Sequence, residues 1–290
     1  MSFKTVSAIL RGRWLIDKSY AGANVPMAIR LMQGEAVDFG EEKNSDLEPQ
    51  PMISYAGAAY SVQPYSNINN LPDNSIAVVT MAGPMLKYGD MCSYGMTEYA
   101  AIMSKLGNAG NVSGIIIDID SPGGQADGTA LLSDTISRVK QRKPVISLIN
   151  DGMAASAGYW IASSGTEVYV TQPTDQVGSI GVYTTIADWN AHYQEYFKLP
   201  VMDIYAPQST DKNKDYKDAI NGDDTAIKED LSVLAQQFIN TVKKNRAGKL
   251  TSDVWSTGKM FYAKDAQKIG LIDGIKSFDQ VIARMNQLIN

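Results

Sequence analysis

Residues 151–164 read DGMAASAGYWIASS, and the interpretation of this stretch decides the fold. Ser156 sits among Ala154, Ala155, Ala157 and Gly158, small residues that let other groups approach its backbone closely. The spacing predicts that a helix begins here, with Tyr159 and Trp160 three and four positions on and therefore on the serine's own face. A helix N-terminus offers unpaired N–H groups and a positive dipole end, both of which stabilise a developing alkoxide or oxyanion. A small-residue helix packed on a sheet, with Ser156 only filling space, would have the same composition. The choice between the two readings rests on the neighbouring motifs.

Upstream, residues 114–128 read GIIIDIDSPGGQADG. The β-branched run at 115–119 predicts a buried strand. It ends in Ser121-Pro122-Gly123-Gly124, where proline stops a ladder and two glycines free the backbone to turn. Such a loop presents N–H groups to a ligand without a Cβ in the way. Downstream, after a strand expected at 167–171, comes Gly178-Ser179-Ile180-Gly181. The order is strand, SPGG loop, helix, strand, serine helix, strand, GSIG.

In this order and spacing the three motifs resemble the signal peptide peptidase A family of serine peptidases. The resemblance runs from Ile76 to the C-terminus. GMAASAGYW is its most specific piece, and FYAKDAQKIGLIDGI at 261–275 matches the helix, Gly-Leu step and Ile-Asp turn of such peptidases. One departure is Ala157, where many members carry glycine; a methyl group there implies a slightly tighter site. The resemblance implies a Clp protease/crotonase-like α/β fold, a spiralled β-β-α superhelix with a parallel sheet covered by helices. The chain looks more like the soluble, single-domain branch of phages and prophages, where similar peptidases process capsid or scaffold proteins.

Composition is compatible with this. The chain has 290 residues, an apolar fraction of 44% and a net charge of −5, enough for one large domain with an appendage. No basic stretch interleaves with aromatics, which argues against nucleic acid as a partner. The single cysteine, Cys92, makes no intrachain disulfide or zinc cluster, and it has no nearby histidine to activate it as a thiol. No apolar run reaches the ~18 residues of a membrane span. The start, MSFKTVSAILRGRWL, has an apolar stretch too short for a secretory signal, so the chain reads as cytosolic.

Residues 1–74 form an N-terminal segment and polar connector, with one short helix expected at 26–32 and an extended arm suited to reaching a neighbouring subunit. The peptidase domain is expected over 75–290. Strands are expected at 76–81, 115–119 and 144–149, and helices at 97–106, 126–142 and 223–245. The last is amphipathic through Ile227, Leu231, Leu234, Phe238, Ile239 and Val242, a stripe for core or subunit packing. Alternating strand and helix with right-handed crossovers gives a parallel sheet.

A serine hydroxyl needs a base to become nucleophilic. The only histidine, His192, lies in DWNAHYQEYF, a polar and aromatic helical setting that suits a structural residue better than a triad member. Lysine is the remaining base, effective once burial has lowered its pKa. In the resembling family the lysine follows a strand downstream of GSIG; here that strand is expected at 201–205, and Lys212, Lys214 and Lys217 follow it. The loop departs from the family's Gly-x-x-Lys pattern. Lys212, nearest the strand in chain order, is the first choice and Lys214 the second. By the same resemblance Ser179 orients the lysine amine, Gly124 and Ala157 supply oxyanion N–H donors, and Gly123 makes the turn. Asp118 and Asp120 lie two apart on one strand face but lack a third ligand at useful spacing, so neither a metal nor another cofactor is expected.

The leading reading is therefore a serine endopeptidase with a Ser156–Lys212 dyad, acting on polypeptides as a homo-oligomer, with a ring as the expected form. A crotonase-type acyl-CoA enzyme is the alternative of the same fold, although its usual acidic catalyst is not evident. A catalytically inactive structural subunit is the third reading, kept open by the altered lysine loop.

Overall fold

The computed structural model describes Trp14–Ile16, Ile53–Tyr55, Ile68 and residues 71–89, 94–186 and 188–290. The helix expected at 26–32 and Cys92 lie outside the described residues, as do most of the positions between 17 and 70.

The run 115–119 lies at the centre of the sheet. Strands β1 (Trp14–Ile16), β2 (Ile53–Tyr55) and β3 (Ser75–Ala82) precede helix α1 (Met96–Asn108). Then come β4 (Val112–Ser121), β5 (Gly123–Gln125), α2 (Thr129–Val139), β6 (Val145–Ala155), α3 (Ala157–Ser163), β7 (Glu167–Val170) and β8 (Gln176–Gly178). Helices α4 (Trp189–Phe197), α5 (Lys214–Ile220) and α6 (Thr225–Asn245) lead to β9 (Met260–Tyr262), α7 (Ala263–Lys268), β10 (Gly274–Ile275) and α8 (Phe278–Ile289). The main sheet runs in the order β10-β7-β6-β4-β3-β2. Along this path all pairs are parallel except β2, which lies antiparallel on β3 at one edge. The fold is α/β with a mostly parallel sheet.

Burial of both faces of the sheet explains why the run is apolar at every position but Asp118. Ile115, Ile117 and Ile119 face a large cluster that includes Met103 and Leu106 of α1, Leu132 and Ile136 of α2, and Tyr159 to Ala162 of α3. Ile116 faces the other way, with Ile76, Val78, Ile146 and Leu148, onto Val281, Ile282 and Met285 of α8. Both faces are covered, so both registers of the strand are buried.

Strand β6 is longer than its β-branched beginning suggests. Its first half pairs with β4 and β7, from Ile115↔Val145 to Ile149↔Val170. The chain then bends at Asp151, whose φ is 55°, and Met153, Ala154 and Ala155 pair with β8 in place of β7, while Ala154 still pairs with Ser121 of β4. β8 in turn pairs antiparallel with β9. One strand thus serves two successive partners on that side, β7 and then β8, and the serine motif sits at the end of the second pairing.

Two further elements differ from the sequence expectation by more than a shifted end or two. Helix α2 occupies only part of 126–142, because Gly128 at its N-cap takes φ 94° and stops the helix from extending upstream. The strand expected at 201–205 is absent: these residues are irregular and no strand pairs with them. Their apolar, β-branched composition favours extended structure, but a strand needs a partner ladder.

The C-terminal motif is held by a buried ion pair. Arg246, 2% exposed in its side chain, meets Asp273 at 2.6 Å, and Lys249 meets the same carboxylate at 2.5 Å. Burial works against the charge on Asp273, but the hydrogen bonds and attraction of Arg246, with help from Lys249 and the Val168 N–H, outweigh it and hold its pKa below the ordinary carboxylate value. Removing one partner leaves the other charge buried and unpaired. Asp273→Asn is therefore expected to cost about 3 kcal/mol at neutral pH, read from urea unfolding. Because the folded pKa is depressed, this stabilisation is complete above the unfolded value near ~4 and is lost as pH falls through the folded value. The gap between wild type and variant should close in acid; an equal gap at pH ~7 and pH ~3 would refute the assignment.

Candidate active site

Ser156 is the residue between β6 and α3. Its φ and ψ are 55° and −118°, a conformation that a residue with a side chain adopts only under constraint, at a cost of about 1–3 kcal/mol. The constraint is visible on both sides. The Ser156 N–H donates to the Gly178 carbonyl at 2.8 Å, and the Ser156 carbonyl accepts from the Trp160 N–H at 2.9 Å as the first turn of α3. The hydroxyl caps nothing in the helix. Ser156 itself is 1% exposed.

The serine thus sits at an elbow just outside the helix, which changes the reading of its neighbours. Tyr159 and Trp160 turn into the core. The Tyr159 hydroxyl donates to the Leu271 carbonyl at 2.7 Å, and burial raises its pKa well above the ordinary tyrosine value. Trp160 stacks on Phe238 of α6 with ring centroids 4.6 Å apart, worth about 0.5–1.5 kcal/mol beyond area burial. Both anchor α3, and through it the elbow.

The SPGG turn lies against the same elbow. β4 and β6 pair at Ser121↔Ala154, and a Cβ on Gly158 would come within 3.2 Å of the Ser121 side chain and carbonyl. Ser121 organises the turn: its hydroxyl donates to the Gly83 carbonyl at 2.7 Å and accepts from the Gly123 N–H at 3.2 Å. Gly123 takes φ 101°. At Gly124 a Cβ would stand 1.8 Å from the Met85 carbonyl oxygen, so no larger residue fits while that contact is kept. Ser179 joins the group from the other side. It follows Gly178, takes φ 52°, and its N–H donates to the Lys259 carbonyl at 2.9 Å. Ser156, Ala157, Gly123, Gly124 and Ser179 are thereby gathered at the ends of β6, β5 and β8.

Among the described residues, none of the three candidate lysines has a side-chain hydrogen bond to this group. Lys212 lies in the turn before α5, is exposed, and makes no side-chain hydrogen bond or ion pair among the described residues. Lys214 pairs with Asp218 one helical turn on, and that hydrogen bond and charge raise its pKa, the opposite of what a base requires. Lys217 lies 3.5 Å from the Tyr205 ring centroid. Helix α5 packs on α6. The backbone of His192 belongs to α4, and its side chain is outside the described residues.

Sequence reading overlooked Asp175. This buried carboxylate accepts from the Gly152 N–H at 2.9 Å, and from the Thr171 and Gln172 N–H groups at 2.9 and 2.8 Å. It ties the β6 bend to the turn after β7 and so sets the approach to Ser156. The available signal was the TQPTD sequence, a proline turn closed by an aspartate. Asp120 supports the same bend by accepting from the Met153 N–H at 3.1 Å. Its neighbour Asp118 has a raised pKa, chiefly from burial, with the Asn150 hydrogen bond acting against it. Among the described residues no cluster of three or more His, Cys, Asp or Glu could hold a metal, and no helix is long and apolar enough to cross a membrane.

The arrangement is a mostly parallel α/β sheet with a serine elbow beside a glycine turn, and a Clp protease family model matches residues 90–177. The model of peptidase family S49 matches residues 137–290, and the chain belongs to that family. Among similar proteins, the head-tail preconnector protein GP5 of Enterobacteria phage P21 is 41% identical over 124 residues, 41% of this chain and 24% of that protein. The capsid assembly protease C of Escherichia phage lambda is 39% identical over 123 residues, 41% of this chain and 28% of that protein. Protease 4 of Haemophilus influenzae is 28% identical over 235 residues, 76% of this chain and 36% of its own length. The chain thus spans between 24% and 36% of these relatives' lengths.

Proposed function

We propose that this protein is a serine endopeptidase in which Ser156 is the nucleophile and Lys212 the general base. The serine proton passes to the neutral lysine amine as Oγ attacks the peptide carbonyl, and the departing amine takes that proton back. Water then cleaves the acyl-enzyme by the same route. The N–H groups of Gly124 and Ala157 hold the oxyanion, Gly123 shapes the turn, and Ser179 orients the amine. The observation that carries this reading is the strained elbow: a serine at φ 55°, with its hydroxyl uncommitted to the helix, packed against a glycine turn.

The lysine is supplied by a neighbouring subunit of a homo-oligomer, a closed ring being the form that satisfies head-to-tail contacts. Two features support this. Lys212 is exposed and unpaired among the described residues. Beside its loop, Leu199, Val201, Met202 and Ile204 are exposed, the last two at 82% and 87%, an apolar surface of the kind that marks an interface. Val182, Ile186, Ile220, Ile227 and Leu231, together with Asp188, Asp224 and Lys228, line a groove of about 580 Å³. Burial there would disfavour the charged lysine and make it a base. The local identity to the two phage proteins supports capsid or scaffold proteins as the substrate class, in the cytoplasm of an infected cell.

A fluorophosphonate probe tests the reading. It should modify Ser156 alone, identified by peptide mass mapping. Absence of modification in the assembled protein would favour an inactive subunit or acyl-CoA chemistry instead.

A further inference from the structure

Strand β5 has two edges, and only one is used by the body of the domain. The Met85 N–H donates to the Gly123 carbonyl and the Gln125 N–H to the Met85 carbonyl, each at 2.8 Å. Backbone groups of successive strand residues point to opposite edges. The N–H and carbonyl of Gly124 therefore point away from Met85. On that far side lies β1, antiparallel, with Ile16 opposite Gly123, Leu15 opposite Gly124 and Trp14 opposite Gln125. β1 and β5 form a two-stranded sheet of their own, separate from the main sheet.

We propose that this edge of β5 is a receptor for one extended polypeptide strand, and that residues 14–16 of this chain are its resident occupant. The inference rests on the reading of Gly124 and Ser156 given above: the N–H expected to hold the oxyanion is the one that β1 covers. A peptide presenting its carbonyl to Gly124 has to displace Leu15. The N-terminal segment therefore competes with substrate and keeps the site closed until it is pulled away. Three residues offer few ladder hydrogen bonds, so the occupant is weak in itself. Covalent attachment offsets this, because a tethered segment acts at an effective concentration on the order of millimolar. Dilute peptides are excluded, whereas a protein partner that binds the N-terminal segment, or supplies a longer strand, opens the site.

The test uses the full chain. Leu15→Pro removes the N–H that faces the Gly124 carbonyl and breaks the pairing, and a cooperative urea transition measured beside that of wild type shows that the variant is folded. A chain lacking residues 1–20 is the second variant. Fluorophosphonate should label Ser156 at least fivefold faster in either variant than in wild type. A synthetic peptide RGRWLIDKSY, residues 11–20, should slow the variants back toward the wild-type rate. By fluorescence anisotropy it should bind the variants at least tenfold more tightly than wild type, and its Leu→Pro form should not bind. Equal labelling rates in proteins that do label, or no peptide binding by either folded variant, would overturn the proposal. Binding of the peptide to the variants with no labelling of any protein would leave the strand receptor standing and overturn the peptidase reading instead.

Discussion

Ser156→Ala is expected to lose at least about a thousandfold in peptide hydrolysis, roughly 4 kcal/mol of transition-state stabilisation. The fold should be untouched. The Ser156 hydroxyl makes no cap hydrogen bond, alanines already occupy positions 154, 155 and 157, and the strain at φ 55° belongs to the backbone and is shared by any residue with a Cβ. The unfolding free energy should therefore change by less than about 1 kcal/mol. Loss of activity with an unchanged urea midpoint assigns the hydroxyl to the chemistry. Residual activity within about threefold of wild type, or ~0.7 kcal/mol, would remove Ser156 from the reaction.

The second large effect separates a site within one chain from a site shared between chains. Lys212→Ala should lose at least about a hundredfold, the scale of a general base. Lys214→Ala should stay within about threefold, since its partner is Asp218 on its own helix and an exposed pair of this kind contributes little. When the Ser156→Ala and Lys212→Ala proteins are mixed and allowed to exchange subunits, activity should return. Random pairing in a ring places an intact serine beside an intact lysine at about a quarter of the interfaces. No recovery after demonstrated exchange would place both residues in one chain. A fully active monomer in sedimentation would refute assembly, and a dead Lys214→Ala variant would move the base two residues along the loop.

Much of the site was legible because its signals are local. Pro122 and two glycines announce a turn whatever lies around it, and small residues around Ser156 announce close approach. The parts that were not legible depend on partners far along the chain. Asp175 is an ordinary turn aspartate until Gly152 of another strand donates to it. Asp273 reads as one residue of an Ile-Asp turn, and only the packing of α6 beneath it brings Arg246 into contact. The same reasoning explains the missing strand at 201–205. The residues favour extension, but among the described residues no neighbouring strand supplies a ladder.

The sequence by itself determined the alternation of β-branched runs and amphipathic helices, hence an α/β fold with a buried parallel sheet, and it marked Ser156, the SPGG turn and GSIG as one family's motifs. These are properties of near neighbours: side-chain period, branching at Cβ, and the freedom or restriction of φ. Only the tertiary structure decided that β6 bends at Asp151 and changes partner from β7 to β8, that Ser156 stands outside the helix in a strained conformation with Tyr159 and Trp160 turned inward, and that β1 covers the free edge of Gly124. Each of these is a pairing or a strain imposed by segments distant in sequence. The reason is energetic: a positive φ at a serine or a three-residue strand is unfavourable or marginal alone, and persists only where the assembled sheet and the packed helix hold it.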